Sequence, residues 1–140
     1  MREIKFRGKA SHSGEWLFGY LINICGNYHI LGKDDMREDG HHVAQDSDRP
    51  TWVDIETIGQ FTGFFLDGVE IYEGDILECC YDRDVKKGVV VYYQGSFGLT
   101  KGNPYESFED MHRFFYRSES GYEVIGNIHD NPELLKGGER

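Results

Sequence analysis

Short runs of apolar and β-branched residues, separated by glycine-containing turns, recur along most of the chain. These runs predict strands at residues 5–7, 15–22, 28–31, 61–66, 69–72, 75–81, 88–93, 96–100 and 122–128. Pairs such as Gly26-Asn27 and Asp67-Gly68 stand between consecutive runs, where they favour the tight turns of β-hairpins. Strands spaced about ten residues apart and joined mostly by tight turns are typical of a small closed or half-closed barrel.

One segment departs from the β pattern. Large apolar side chains recur there at helical spacing, at Tyr105, Phe108, Met111, Phe114 and Phe115. Asn103 as N-cap, Pro104 as first helical residue and Glu106 three residues after the cap predict a helix over about 104–117. Its aromatic stripe is expected to cover the protein's own core, and docking to a partner is the alternative. A last helical turn is predicted at 131–136.

The pattern also predicts how the chain is divided. Residues 1–56 form an N-terminal β-rich segment, in which the polar and acidic stretch 32–50 is predicted to be a long, mobile surface loop. Residues 57–140 carry the barrel strands, the inserted helix and the short C-terminal helical turn. We therefore predict a mainly β (β-rich α+β) protein. A length of 140 residues suits one such domain with a small appendage.

Charge and composition restrict the classes of function. Twenty-five acidic residues stand against fifteen basic ones, which gives a net charge of −10 and argues against a phosphate-neutralising binder of duplex DNA. No stretch approaches the roughly 20 apolar residues of a membrane span, and the charged N-terminus lacks the apolar region of a signal peptide. We expect a cytoplasmic protein with no membrane partner. Cys25, Cys79 and Cys80 suit a reducing compartment better than a disulfide framework.

Residues able to carry catalysis or bind a metal do not form a recognisable arrangement in the sequence. Cys79 and Cys80 are expected to be one buried small side chain and one partly exposed thiol, rather than a redox or metal pair. His41 and His42 lie among acidic residues of the polar stretch, but their spacing matches no known metal site. Asp54 would share one face of a strand with Glu56, where a solvated edge is the favoured interpretation. We expect no catalytic residue, no metal and no cofactor.

Three blocks of the sequence resemble a known family. They are MREIKFR at 1–7, IGQFTG through DGVEIYEGDI at 58–76, and YEVIGNIHDNPELL at 122–135. In combination they resemble the YopX family of bacteriophage and prophage proteins, over the whole length of the chain. The resemblance implies N-terminal strands followed by a part similar to an SH3-like barrel, in the cytoplasm of a bacterial host. It implies no activity, and the helix at about 104–117 rests on this sequence alone.

The central block is predicted to be mainly a folding motif. Asp67-Gly68 supplies the positive φ angles of a tight hairpin turn. Glu73-Gly74-Asp75 places a glycine turn immediately before a strand, where the Asp75 carboxylate can accept hydrogen bonds from backbone amides. These residues are therefore expected to shape the backbone rather than to form a site.

Three hypotheses of function follow. The favoured one is a phage or prophage accessory protein without enzymatic activity, which binds a protein partner or assembles with itself. The alternative is a small barrel that binds single-stranded nucleic acid, helped by basic residues among the first ten. The third is an acidic mimic of DNA that inhibits a host nuclease or regulator. The candidate interaction residues are Tyr92, Tyr93, Phe97 and Tyr105.

Overall fold

The computed structural model of the protein describes residues 2–32, 51–81, 84–117 and 121–136. The chain divides into two compact units, Met1–Gly63 and Phe64–Arg140, whereas the sequence pattern predicts the division between residues 56 and 57. Apart from Gly32, the predicted mobile loop lies outside the described residues.

The first unit is built on one antiparallel sheet. Its strands are β1 (Phe6–Lys9), β2 (Trp16–Ile24), β3 (Asn27–Leu31) and the beginning of β4 (Gly59–Leu66). Their order across the sheet is β3-β2-β1-β4. The turn between β2 and β3 is predicted at Gly26-Asn27, but it lies at Cys25-Gly26, because Asn27 already pairs with Ile24. Both turn residues have positive φ angles, of 51° and 86°. This geometry is the one that a two-residue hairpin turn requires.

The segment just before β4 bonds both to the edge strand β3 and to the interior strand β1 of this sheet. Thr51 accepts a hydrogen bond from the backbone N–H of Ile30 in β3 at 2.9 Å. Three residues later, the N–H of Asp54 donates to the carbonyl of Lys9 in β1, also at 2.9 Å. Strands β1, β2 and β3 and this segment therefore form a closed circuit of hydrogen bonds. The side chains at most 4% exposed in this unit are Ala10, Ile30, Leu31, Thr51, Val53 and Phe61.

The second unit begins within β4, which forms a hairpin with β5 (Val69–Tyr72). A five-stranded antiparallel sheet and two short helices follow. In chain order they are β6 (Asp75–Tyr81), β7 (Asp84–Tyr93), β8 (Ser96–Thr100), β9 (Glu109–Asp110), α1 (Met111–Arg117), β10 (Tyr122–Asn127) and α2 (Glu133–Lys136). The prediction of a mainly β protein is confirmed.

The sequence pattern predicts a closed or half-closed barrel, and the structure is not a closed barrel. Among the described residues, the sheet of the second unit has the order β10-β6-β7-β8-β9, and its edge strands β10 and β9 do not pair with each other. The apolar face of the sheet is covered in another way, because α1 contributes Met111 and Phe114 to the core and β5 contributes Ile71. A sheet whose apolar face is already buried gains no further burial by closing on itself.

Helix α1 is also shorter than predicted, since it begins at Met111 and not at Pro104. Asn103 caps only a single turn, by accepting the N–H of Tyr105 on its side-chain oxygen at 3.0 Å. The N-cap of α1 is Asp110, whose carboxylate accepts the N–H of His112 at 2.9 Å. An acidic residue at this position is among the preferred helix caps.

The helix begins late because the preceding residues are extended along β8. The ring of Phe108 lies so close to Gly98 that a Cβ there would stand 2.4 Å from it. Glu109 then pairs with Leu99 and Asp110 with Gly98, which forms the short strand β9. A continuous helix over 104–117 would lose both this strand pairing and the contact of Phe108 with the sheet.

The turn between β5 and β6 connects three strands of the second unit. Gly74 has a φ of 92°, and its N–H donates to the carbonyl of Val90 in β7 at 2.8 Å. Its own carbonyl accepts the N–H of Ile128, just after β10, at 2.9 Å. Asp75 is only 3% exposed and accepts the N–H of Tyr72 at 2.8 Å. The predicted hydrogen bond from a backbone amide to Asp75 is confirmed.

The closing block of the sequence also shapes the backbone. The side-chain oxygen of Asn127 accepts the N–H groups of His129 and Asp130, at 3.0 and 2.9 Å, and so turns the chain after β10. Asn131 packs so tightly on Gly126 that a Cβ at Gly126 would stand 2.5 Å from the Asn131 side-chain oxygen. These two asparagines lead the chain into α2.

We predict that Asp75→Ala lowers the free energy of unfolding by about 1–3 kcal/mol, because the buried Tyr72 N–H loses its hydrogen-bond acceptor. Urea unfolding followed by circular dichroism measures this change. The control is Glu106→Ala, an exposed acid in the same unit, which should change the stability by less than about 0.5 kcal/mol. Equal stability of the two variants would contradict the role given to Asp75.

A second prediction concerns Asp110. The hydrogen bond that Ser96 donates at 2.6 Å is the largest cause that holds the pKa of Asp110 below its ordinary value, and backbone N–H groups of α1 add to it. Ser96→Ala should therefore raise this pKa, which an NMR titration of the Asp110 carboxyl carbon measures. A carboxyl group whose pKa is lower in the folded than in the unfolded protein stabilises the fold above its unfolded pKa. Ser96→Ala should therefore reduce the stability at pH 7, and this loss should shrink as the pH falls through the pKa of Asp110 in the folded protein. An unchanged Asp110 pKa would contradict this assignment.

Candidate functional site

The β7–β8 hairpin carries three of the four predicted interaction residues. Tyr92 and Phe97 lie opposite each other in this hairpin, and their rings meet edge to face with centroids 5.0 Å apart. Phe97 packs against the core of the second unit, whereas Tyr92 is 56% exposed. This pair therefore lies on the core-facing side of the sheet, at the margin of the core.

Tyr93 follows Tyr92 in the same strand and points to the opposite face of the sheet. Its ring contacts Tyr105, with centroids 5.5 Å apart, and Phe108, at 5.3 Å. The four predicted residues thus form two separate groups rather than one surface. We call Tyr93, Tyr105 and Phe108 the aromatic platform.

Tyr105 is the most prominent member of the aromatic platform, because its side chain is 84% exposed. The loop that carries it is held by side-chain hydrogen bonds. Asn103 accepts the N–H of Tyr105 at 3.0 Å, and the Ser107 hydroxyl accepts the N–H of Lys101 at 2.9 Å. A large aromatic side chain is therefore presented to solvent by a well-defined turn.

An open cleft of about 420 Å³ adjoins the aromatic platform. Phe108 belongs to both, and the cleft is also lined by Glu109, Asp110 and Arg113. Its helical spacing predicts Phe108 in the core stripe of a helix, whereas the structure has it in the platform. The sequence did contain a signal that Tyr92 and Tyr93 lie on opposite faces, because neighbouring residues of a strand alternate between the two faces of the sheet.

Three of the four basic residues among the first ten lie over aromatic rings of the first unit. The Lys5 ammonium lies over the Phe61 ring, 5.0 Å from its centroid. Arg7 and Lys9 both lie over the Trp16 ring, at 4.7 and 5.5 Å. Arg7 is only 7% exposed. These cations contribute to the packing of their own unit through cation–π contacts.

A second open cleft, of about 380 Å³, lies in the first unit. We call it the Trp52 cleft, and its lining residues are Ser11, Gly26, Asn27, Tyr28, Trp52, Val53, Asp54, Ile55 and Glu56. Asp54 and Glu56 do not share a strand as predicted, because residues Ile55–Thr57 form a 3-10 helix. The Asp54 carboxylate instead accepts a hydrogen bond from the Ser11 hydroxyl at 2.8 Å.

Neither Cys25 nor Cys79 lines either cleft. Cys79 is a buried core residue and Cys25 is exposed, while the side chain of Cys80 and the pair His41 and His42 lie outside the described residues. Within the described ranges, no three His, Cys, Asp or Glu side chains are grouped so that they could hold a metal ion. No helix in the part of the chain that the structure describes is long and apolar enough to cross a membrane.

Comparisons with known proteins place the chain in a family. No curated protein matches it. The crystal structure of protein EF1440 from Enterococcus faecalis is similar, with a TM-score of 0.54 and 24% identity, over 96% of this chain and 99% of that one. At this identity the likeness shows the fold alone. The model of the family described as YopX protein matches residues 5–136. Because that match covers nearly the whole sequence, this chain belongs to the YopX family.

Proposed function

We propose that this YopX-family chain is a non-enzymatic interaction module of a phage or prophage, and that it binds a partner protein through the aromatic platform. The observation that carries the proposal is the 84% exposure of Tyr105, next to two other aromatic rings and an open cleft. Tyrosine is enriched in protein interfaces, because it buries a large apolar area while its hydroxyl stays hydrogen-bonded.

The arrangement of the aromatic platform lowers the cost of binding. Tyr93 lies in a paired strand, and Phe108 is packed on Gly98, so two of the three rings are held before a partner arrives. Tyr105 contacts Tyr93 at an interplanar angle of 73°, a favourable edge-to-face geometry. Binding to side chains that are already ordered loses less conformational entropy.

The charge around the platform favours a protein over a nucleic acid. Glu106 follows Tyr105 in sequence, and the adjoining cleft carries Glu109 and Asp110 against one cation, Arg113. These carboxylates would repel phosphates, although exposed aromatic rings can stack with bases. Arg7, the most buried cation of the N-terminal segment, is packed against Trp16 and offers little surface to a phosphate. A partner protein with basic or apolar groups fits this surface better.

We predict that Tyr105→Ala weakens the partner complex on the order of 30-fold, the effect of removing an interface hot spot of about 2 kcal/mol. Affinity capture from phage-carrying cells would identify the partner, and calorimetry with the purified partner would measure the dissociation constant. Tyr92→Ala is the matched control, since it removes the same kind of side chain from the opposite face of the hairpin. Its dissociation constant should stay within about threefold of the original.

Three results would contradict the proposal. The first is equal weakening by Tyr105→Ala and Tyr92→Ala. The second is salt-dependent binding of single-stranded oligonucleotides that Tyr105→Ala abolishes, because this would support the nucleic-acid hypothesis. The third is sedimentation of the protein alone as an oligomer that Tyr105→Ala dissociates, because the platform would then serve self-assembly.

A further inference from the structure

The Trp52 cleft shares no residue with the aromatic platform and combines an exposed indole with two carboxylates. Trp52 is 51% exposed, and one face of its ring stacks against the imidazole of His29, with centroids 6.2 Å apart and an interplanar angle of 18°. The ring is therefore supported from one side while it lines the cleft. An indole is the aromatic ring that attracts cations most strongly.

The backbone that carries Trp52 is fixed on both sides. The Trp52 carbonyl accepts the N–H of Ser11 at 2.9 Å, and the next N–H, of Val53, donates to Tyr28 in β3 at 3.0 Å. Thr51 and Val53 are each 3% exposed, so Trp52 is an exposed residue between two buried ones. This alternation is that of a strand, and it directs the indole away from the core.

The charge of the Trp52 cleft is negative. Asp54 and Glu56 are both exposed, and the described lining residues include no lysine or arginine. Asp54 accepts one hydrogen bond from Ser11, and a carboxylate has room for several. Ile55, which lies between the two acids, is 61% exposed and adds apolar surface. An indole, two carboxylates and an aliphatic side chain match the parts of an arginine side chain, which has an apolar stem and a planar cation.

We propose that the Trp52 cleft binds an arginine side chain of an extended peptide segment in a partner protein. The guanidinium would lie on the Trp52 ring and donate hydrogen bonds to Asp54 or Glu56, while its stem packs on Ile55. Lysine would bind more weakly, because its ammonium, although attracted to the ring, has no plane to stack on it and forms no bidentate pair. The binding site would thus give the first unit a role of its own.

The test is an NMR titration of the full chain with the capped peptide Ala-Leu-Arg-Leu-Ala. We expect a saturable shift of the Trp52 indole N–H and of the amides of Ser11 and Asn27, while the indole of Trp16 does not move. The matched peptide with glutamine in place of arginine should bind on the order of tenfold more weakly. Affinity should also fall as sodium chloride is raised.

Variants of the protein complete the test. The double variant Asp54→Asn, Glu56→Gln keeps the shape of the lining and should weaken the arginine peptide on the order of tenfold. Tyr105 belongs to the other unit, so Tyr105→Ala should leave binding of the arginine peptide unchanged. A failure of this proposal can thus be distinguished from a failure of the proposed function of the aromatic platform. The proposal is overturned if the arginine and glutamine peptides shift the same signals equally, if the double variant binds as tightly as the original chain, or if no Trp52 shift appears at millimolar peptide.

Discussion

The glycine turn between β5 and β6 holds the second unit together. Asp75 is a buried carboxylate, and such a group is tolerated inside a protein only when hydrogen bonds replace its water. It accepts the N–H of Tyr72, while Gly74 bonds Val90 on one side and Ile128 on the other. One three-residue turn therefore ties the hairpin, the central strand β7 and the end of β10 to one another. Two of the three blocks that resemble the YopX family meet at this turn.

The same sheet produces the aromatic platform by means of a second glycine. The absence of a side chain at Gly98 lets Phe108 lie on the outer face of β8, and Glu109 and Asp110 can then pair with that strand. Because of this pairing, helix α1 begins only at Met111, and Asp110 is its N-cap. The pairing of β9 with β8 therefore has two effects. It sets the start of α1, which covers the core on one face of the β7–β8 hairpin, and it holds Phe108 of the aromatic platform on the other face.

In the first unit, the basic and the acidic side chains lie in different surroundings. Lys5 and Lys9 lie over aromatic rings within the unit, where they add to its packing. The segment that bonds both β1 and β3 places Trp52 on the outside, next to Asp54 and Glu56. Three of the four basic residues near the N-terminus thus pack on aromatic rings, and an acidic, aromatic cleft is the more distinctive feature of this unit.

The sequence by itself determined the β class, the positions of most strands, the Asp67-Gly68 hairpin turn and the role of Asp75. These features depend on neighbouring residues, on alternation with a period of two and on glycine or asparagine at positive φ. The tertiary structure decided where α1 begins and which aromatic side chains meet. It also decided that the sheet of the second unit is not a closed barrel. Helical spacing from Tyr105 to Phe115 could not reveal that Phe108 would pack on Gly98, because these residues are ten positions apart and only strand pairing brings them together. In the same way, only the fold shows that Lys9 lies over Trp16 while Trp52 faces solvent.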